Sequence, residues 1–238
     1  MNSDTSDKTI HSEQKYFYEI RAKKVIKNLE RRAMNGCFVP NRQEALKLAM
    51  SLITQDAVVG CGDSVTLNQI GIIQALQERG QSKIINPFSP DEKGHHPPRE
   101  VRRKLQREAL LSDVFLTSAN AVTLDGRLVC IDAAGNRVAA MIFGPRRVIA
   151  IVGGNKIVTN VDEGLNRIRN EVAPLNSIRH FMKHQHPEAI DRPCVKEGKC
   201  IDCFHEWRIC RFTVVFDGNQ PWEKGRTTVI LVGEELGI

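Results

Sequence analysis

Aromatic side chains are scarce in this sequence of 238 residues, which contains two Trp and two Tyr and is 5% aromatic. Proteins that bind single-stranded nucleic acid stack the bases on such side chains, and the sequence carries no nucleic-acid-binding motif. We therefore expect no nucleic acid among its partners. The formal net charge of +6 is explained as well by a small anionic substrate.

The sequence also lacks a long hydrophobic run. No stretch approaches the roughly 20 apolar residues that a membrane-spanning helix needs, and the first ten residues are mostly polar. We expect a cytoplasmic protein with no membrane partner and no secretory signal. Because that compartment keeps thiols reduced, the seven cysteines predict a metal site or core packing rather than disulfides.

Residues 116–158 hold most of the unusual local chemistry. A buried-strand pattern over residues 114–117 leads into a small ribbon, Ala121 to Ile131, with a hairpin signal at Asp125-Gly126. A second buried-strand pattern, Val148 to Val152, ends in a glycine-rich turn. Ligands of open α/β sheets bind beyond the carboxyl ends of strands. The turns in this segment therefore predict a small-molecule site.

Four strings in the chain resemble the lactate-utilization (LUD) domain family, in the branch that ends with a cysteine module. They are GCGDSVTL, ANAVTLDGRLVCID, GNRVAAMIFGPRRVIAIVGGNKIV and VILVGEELGI. The likeness runs from about Tyr16 to Ile238. It implies a Rossmann-like α/β fold, related to the sugar-phosphate isomerase and CoA-transferase superfamily, and a link to lactate oxidation. It supplies no catalytic mechanism.

The predicted fold class is α/β, with a Rossmann-like, mainly parallel sheet and flanking helices. The ribbon, a Cys-rich lobe and a terminal β-hairpin complete it. The hairpin would join Arg211 to Phe216 with Thr227 to Val232 and add antiparallel strands to the sheet. The expected divisions are a flexible N-terminus (1–12), the α/β domain (13–190), a four-cysteine module (191–212) and the closing hairpin (213–238).

A first candidate for anion binding follows the short strand that ends at Gly60. A strand, a glycine-rich turn and a helix occur in that order, which points backbone N–H groups at an anion. The turn would use Gly60, Gly62, Asp63, Ser64 and Thr66. The alternative is that Ser64 or Thr66 only caps the helix. Neither a phosphate-loop lysine nor a full dinucleotide glycine pattern is present.

Further candidates for substrate binding occupy the turns of the central segment. Each has an ordinary alternative, since Asn and Gly adopt left-handed turns, Asp caps helices and Lys is usually solvated. Their common position at one sheet edge favours a shared site. Asp63, Asp132 and Lys156 are the candidates for catalysis. The binding residues of these turns are Asn120, Asp132, Gly135, Asn136, Arg137, Gly153, Asn155 and Lys156.

Four cysteines follow one another with the spacing Cys-x5-Cys-x2-Cys-x6-Cys. These are Cys194, Cys200, Cys203 and Cys210. One close pair with two flanking thiols on turn-forming residues indicates a tetrathiolate site for an iron–sulfur cluster or zinc. For zinc, the sulfurs would lie within roughly 4 Å of one another. The alternative is a reduced, cysteine-rich loop.

The resemblance and these two sites together predict a component of cytoplasmic L-lactate or organic-acid utilization. It would bind an anionic small molecule at the strand ends and a metal or iron–sulfur cluster through its cysteines. Two alternatives stay open: a stand-alone isomerase or acyl/CoA-transfer-type enzyme, and a non-catalytic scaffold subunit of an iron–sulfur oxidoreductase. Iron–sulfur oxidoreductase subunits, and a further copy of the chain, are the expected protein partners.

Overall fold

The computed structural model describes the backbone of residues 4–238, with the side chains of residues 12–183 and 185–238. Residues 1–3 of the flexible N-terminus expected over residues 1–12 lie outside this description. The first helix begins at Asp4, within the segment expected to be flexible, and ends at Arg31. No helix of the described chain is long and apolar enough to cross a bilayer.

Helices and strands alternate through most of the described chain. The helices are α1 (Asp4–Arg31), α2 (Arg42–Ser51), α3 (Val65–Ile70), α4 (Ile72–Glu78), α5 (Arg99–Glu108), α6 (Asn136–Ile142), α7 (Val161–Arg167), α8 (Ala173–His184) and α9 (Pro193–Lys196). The strands are β1 (Asn35–Val39), β2 (Val58–Cys61), β3 (Lys83–Ile85), β4 (Val114–Thr117), β5 (Ala121–Thr123), β6 (Leu128–Asp132), β7 (Arg147–Gly153), β8 (Ile157–Val158), β9 (Phe212–Phe216) and β10 (Thr227–Val232).

The main sheet has six strands in the order β1-β10-β7-β4-β2-β3. Every neighbouring pair is parallel; Gly60 of β2 faces Phe115 of β4, and Leu116 of β4 faces Ile149 of β7. Helices cover both faces, so the predicted α/β class with a mainly parallel sheet is confirmed. Because the strands point the same way, their carboxyl ends meet at one edge.

Two hydrophobic cores lie on the two faces of this sheet. Alternate residues of β7 enter different cores, since successive side chains of a strand point to opposite faces. Val148, together with Val25 and Leu29 of α1, belongs to one core. Ile149 belongs to the other, with Leu76 of α4. The buried strands thus fix the sheet between two layers of helices.

A second sheet of four strands, β8-β5-β6-β9, carries the predicted ribbon. β5 and β6 pair antiparallel through a hairpin at Asp125-Gly126, and Gly126 has a φ of 87°. A side chain at Gly126 would meet the α1 backbone, 2.9 Å from the Asn28 carbonyl carbon. This turn therefore needs glycine for its left-handed backbone and for its close packing.

The predicted closing hairpin is wrong. β9 pairs antiparallel with β6 in the second sheet, whereas β10 lies between β1 and β7 in the main sheet and is parallel to both. The physical reason is burial on both faces. Residues 227–232 are almost continuously buried, as a central parallel strand requires, while residues 212–216 are partly exposed at a sheet edge.

Arg226, immediately before β10, connects that strand to the end of α6. Its guanidinium donates to the carbonyl oxygens of Pro145 (3.0 Å), Met141 (2.8 Å) and Ala140 (3.2 Å). The residue is 8% exposed, and burial lowers the pKa of its guanidinium. A cation at a helix C-terminus also opposes the negative end of the helix dipole.

Candidate functional site

A crevice of about 350 Å³ opens at the carboxyl edge of the main sheet. The turns after β2 and β4 form part of its wall, and α5 and α8 supply much of the remainder. Phe88 and His96, from the loop before α5, also border it. The crevice therefore lies at the sheet edge where the sequence predicted a small-molecule site.

The structure brings together eight of the predicted substrate-binding residues in this crevice. They come from four separate turns, which follow β2, β4, β6 and β7, and the parallel direction of β2, β4 and β7 brings three of these turns to one edge. Whether they bind a substrate stays a prediction. The eight residues are Asp63, Ser64, Thr66, Asn120, Asp132, Asn136, Arg137 and Lys156.

Gly60 and Gly62 do not line the crevice. A Cβ atom on Gly60 would lie 2.8 Å from the Ser112 hydroxyl oxygen, so this glycine allows the chain before β4 to approach β2. A Cβ on Gly62 would lie 3.5 Å from the Arg137 side chain. Close packing therefore requires glycine at position 60, whereas Gly62 makes only an ordinary van der Waals contact.

Gly153, Asn155 and Gly135 also do not line the crevice. A Cβ on Gly153 would meet the backbone nitrogen of Leu236, and Asn155 Oδ1 accepts a 3.1 Å hydrogen bond from that same nitrogen. These two residues hold the C-terminal segment in place through contacts with the Leu236 backbone. Gly135 precedes α6 with a φ of 82° and packs beneath the Phe212 ring. Their turn chemistry explains their presence without a ligand.

Ser64 has the ordinary role that the sequence left open. Its Oγ accepts a 3.4 Å hydrogen bond from the backbone nitrogen of Leu67 and thereby caps α3. Thr66 differs, because its hydroxyl points to Lys156 rather than to the helix backbone. The turn after β2 is therefore partly a helix cap and partly a wall of the crevice.

Arg137 organises one wall of the crevice. Its guanidinium donates to the backbone oxygens of Ser118 (2.8 Å) and Ile131 (2.7 Å) and to Asn120 Oδ1 (2.9 Å). It also pairs with the Asp132 carboxylate at 3.4 Å. One cation thus joins the turn after β4 to the end of β6. This network holds the wall of the site in place, and its donors are largely occupied by protein groups.

Asp63 lies opposite two cations of α8. Its carboxylate accepts a 2.9 Å hydrogen bond from Arg179 and lies 4.0 Å from Lys183 Nζ. Burial alone would raise the pKa of the Asp63 carboxyl, but the charges of Arg179, Lys183 and His180 outweigh it and hold that pKa below its ordinary value. Asp63 is therefore an anion that positions cations at the crevice.

Lys156 is the most unusual residue of the site. It is 4% exposed, so its interpretation as a solvated turn residue is wrong. Its Nζ donates to Thr66 Oγ1 at 3.1 Å and to Ser118 Oγ at 3.2 Å. Burial first, and then the charges of Arg167 and Arg137, lower the pKa of the Lys156 amine to about 7. A neutral amine is therefore available near neutral pH.

Sequence reasoning missed the basic residues of α5 and α8 that face the crevice. Both sets recur at helical spacing, three or four residues apart, so each forms one face of its helix. That spacing was the available signal. The residues are Arg99, Arg102 and Arg103 on α5, and Arg179 and Lys183 on α8.

The four cysteines of the module line a second, smaller cavity of about 130 Å³. Burial raises the pKa of the Cys194 thiol, and the thiols of Cys203, Cys210 and Cys200 raise it further. The backbone nitrogen of Cys200 donates to Asn170 Oδ1 at 3.1 Å, which anchors the module. Within the described chain, no three or more His, Cys, Asp or Glu side chains form a metal-binding group.

The two cavities share part of their walls. Ile131, from β6, and Ile209, from the cysteine module, line both the crevice and the thiol cavity. Arg192 and Arg208 lie beside the thiols, and Arg192 is 7% exposed. A group held by the cysteines would therefore lie close behind the cationic crevice.

The three remaining cysteines are not part of either cavity. Cys61 and Cys130 are buried within the two hydrophobic cores, as predicted for small core residues. Burial raises the pKa of the Cys61 thiol to about 12, which keeps it protonated and unreactive. Cys37, in β1, is partly buried.

Comparison with known proteins gave a family match and a structural neighbour. A family model described as the LUD domain matches residues 22–232. Among solved structures, the chain is similar to a DUF162 family protein from Deinococcus radiodurans, with 15% sequence identity and a TM-score of 0.44. That similarity covers 93% of this chain and 97% of the neighbour. The comparison with curated proteins gave no match.

Proposed function

The chain belongs to the LUD domain family, which is associated with lactate utilization, and on that premise we propose a component of a cytoplasmic system that oxidises L-lactate or a related organic acid. In this proposal the crevice binds the organic anion. The four cysteines hold an iron–sulfur cluster, and the chain belongs in this proposal to the family branch with a cysteine module.

The shared wall formed by Ile131 and Ile209 is the observation that carries the proposal. These side chains separate a crevice rich in basic residues from a cavity bordered by four thiols. Oxidation of an anion needs both a binding site for the charge and a nearby acceptor for electrons. The arrangement supports that pairing of functions in one chain.

The residue types around the second cavity support an iron–sulfur cluster, although the described His, Cys, Asp and Glu side chains do not form a group that could hold a metal ion in this structure. Cys194, Cys200, Cys203 and Cys210 supply four thiols, which are the usual ligands of such clusters. The guanidinium of Arg192 would offset the negative charge of the thiolates. A bound cluster would supply one-electron transfer.

This chemistry also indicates partner subunits. Oxidation of a hydroxy acid to a keto acid releases two electrons and two protons, whereas an iron–sulfur cluster passes electrons singly. Further redox centres must therefore take up the electrons. We infer that iron–sulfur oxidoreductase subunits are the partners, while this chain contributes anion binding through Arg179 and Lys183, which Asp63 holds at the crevice.

Anaerobic purification and reconstitution test the proposal. Iron and sulfide analysis, visible absorption and electron paramagnetic resonance should show a cluster in the wild-type chain. Cys203→Ser should lose it, because Cys203 borders the thiol cavity. Cys37→Ser is the matched control and should keep it, because Cys37 lies in β1. Zinc in place of iron, or a cluster that survives Cys203→Ser, would overturn the redox function.

Anion binding is measured separately by calorimetric titration with L-lactate and pyruvate. Arg179→Ala should weaken binding roughly three- to tenfold, because exposed charge pairs contribute up to about 1 kcal/mol. Arg107→Ala on α5 removes the same charge outside the crevice and should bind as the wild type does. Equal affinities for both variants would contradict the crevice as the binding site.

A further inference from the structure

The charge of the crevice exceeds what one carboxylate requires. Leaving Lys156 aside, the described residues that line it include six Lys or Arg and two acidic residues, Asp63 and Asp132. A hydroxy acid such as lactate carries a single negative charge. So many cations at one site favour a ligand with at least two charges, because each further cation is costly to hold near the others unless an anion compensates it.

The guanidinium groups on α5 have N–H donors that no other described residue uses. Arg99, Arg102 and Arg103 make no side-chain hydrogen bond or ion pair to any other described residue, and all three line the crevice. Arg137, by contrast, uses its donors on protein oxygens. Arginine binds phosphate and carboxylate groups through paired N–H donors. The face of α5 is therefore suited to the charged end of a ligand.

Lys156 provides a different kind of group on the wall of the same crevice. When the amine is neutral, its two N–H bonds can donate to Thr66 Oγ1 and Ser118 Oγ, at 3.1 and 3.2 Å. The nitrogen lone pair is then available to react with a ligand. Lysines that are desolvated and near other cations act as nucleophiles toward carbonyl groups.

We propose that Lys156 forms an imine with a carbonyl compound that carries a phosphate or two carboxylates, and that the arginines of α5 bind its charged end. The nitrogen lone pair attacks the carbonyl carbon, a C–N bond forms and the C–O bond breaks. The oxygen leaves as water with the two amine protons, so no oxidant or reductant is needed. This activity rests on the anion-binding half of the proposed function and is independent of the thiol site.

The test is reductive trapping in the full-length chain. The protein is incubated with dihydroxyacetone phosphate and sodium cyanoborohydride, and adducts are counted by intact mass and located by peptide mapping. We expect one adduct, at Lys156, formed at least ten times faster than with uncharged dihydroxyacetone. 2-Oxoglutarate, with two carboxylates, should likewise exceed pyruvate, with one. The phosphate pair and the carboxylate pair show which charged group the site recognises. The uncharged compound shows whether the amine reacts with any carbonyl.

Variants assign the two parts of the site. Lys156→Met should abolish the adduct, whereas Lys224→Met, which removes an exposed lysine outside the crevice, should not change it. Arg102→Ala should slow trapping severalfold. Arg107→Ala, on the same helix but away from the crevice, should leave the rate unchanged. If Lys156→Met fails to fold, the pH profile of the wild type replaces it: the rate should rise through pH 7 and level off above about pH 8, because the pKa of the amine is about 7.

The outcomes separate this inference from the function on which it rests. Phosphate binding by calorimetry without an adduct at Lys156 would overturn the imine and leave anion binding in place. Adducts spread over exposed lysines would overturn it in the same way. Equal trapping of charged and uncharged compounds would overturn the polyanionic ligand. No binding of any anion would overturn both the inference and the anion-binding half of the proposed function.

Discussion

Arg179 donates a 2.9 Å hydrogen bond to the carboxylate of Asp63, although 116 residues separate the two in sequence. Asp63 lies in the turn after β2 and Arg179 lies on α8, so the pair joins two elements across the crevice. The carboxylate holds the guanidinium at the site but also competes with any anionic ligand for it. This relationship gives the first prediction.

Asp63→Asn should tighten binding of inorganic phosphate. The change removes one negative charge beside Arg179 and Lys183. The affinity should therefore rise roughly three- to tenfold, which corresponds to about 1 kcal/mol of binding free energy. Calorimetric titration at fixed ionic strength measures it. Glu78→Gln, an equal charge change at the exposed last residue of α4 and outside the crevice, is the control. Weaker phosphate binding in Asp63→Asn would contradict a competing role for the carboxylate.

Lys156 should make the stability of the fold depend on pH. Burial lowers the pKa of its amine from 10.5 to about 7. Between these values the unfolded chain binds a proton that the folded chain does not, so the free energy of unfolding should rise from pH 7 toward pH 10.5 and be lowest below pH 7. Lys156→Met has no amine at this position, so its free energy of unfolding should not show this dependence on pH.

Urea denaturation of both proteins at pH 7 and pH 9.5 measures the effect. The wild type should gain stability relative to Lys156→Met at the higher pH, and other titrating groups cancel in the comparison. A stability difference that does not change with pH would show that the amine has the same pKa in the folded and unfolded chain.

Gly154→Ala should destabilise the chain through a clash with Tyr18 of α1. A Cβ on Gly154 would fall within the contact distance of the Tyr18 ring, and overpacking of this kind costs about 1–3 kcal/mol of unfolding free energy. Urea denaturation of Gly154→Ala, Tyr18→Ala and the double variant forms a complete cycle. The two changes should cost less together than the sum of their separate effects. Additive costs would contradict the contact.

Arg226→Lys should reduce the free energy of unfolding by about 2–3 kcal/mol. Lysine keeps the charge but cannot reach all four carbonyl groups of α6 and the following turn that the guanidinium contacts, and unmade hydrogen bonds to a buried charge cost that much. Arg147→Lys, at the exposed start of β7, is the matched control and should have little effect. Urea denaturation of the two variants distinguishes them. Equal losses would contradict the contribution of these contacts.

Local sequence signals predicted much of the architecture. Apolar runs such as residues 114–117 and 148–152 identified central strands, because parallel strands are buried on both faces. Asp125-Gly126 identified the hairpin, since glycine supplies the left-handed backbone there. The same reasoning failed for residues 211–232. Two strands that are close in sequence suggested a hairpin. The near-complete burial of β10 instead requires a neighbouring strand on each side, and closeness in sequence does not show which strands these are.

The sequence by itself determined the alternation of strands and helices, the sheet edge at which the crevice opens, and the four-cysteine spacing. Only the tertiary structure decided which residues meet there. It turned α5 and α8 toward the crevice and kept Gly153 and Asn155 out of its lining. It also buried Lys156 beneath the C-terminal segment. The physical reason is that strand and helix periodicity depends on neighbours within a few residues, whereas the burial of an amine and its pKa depend on charges and packing from residues far away in the chain.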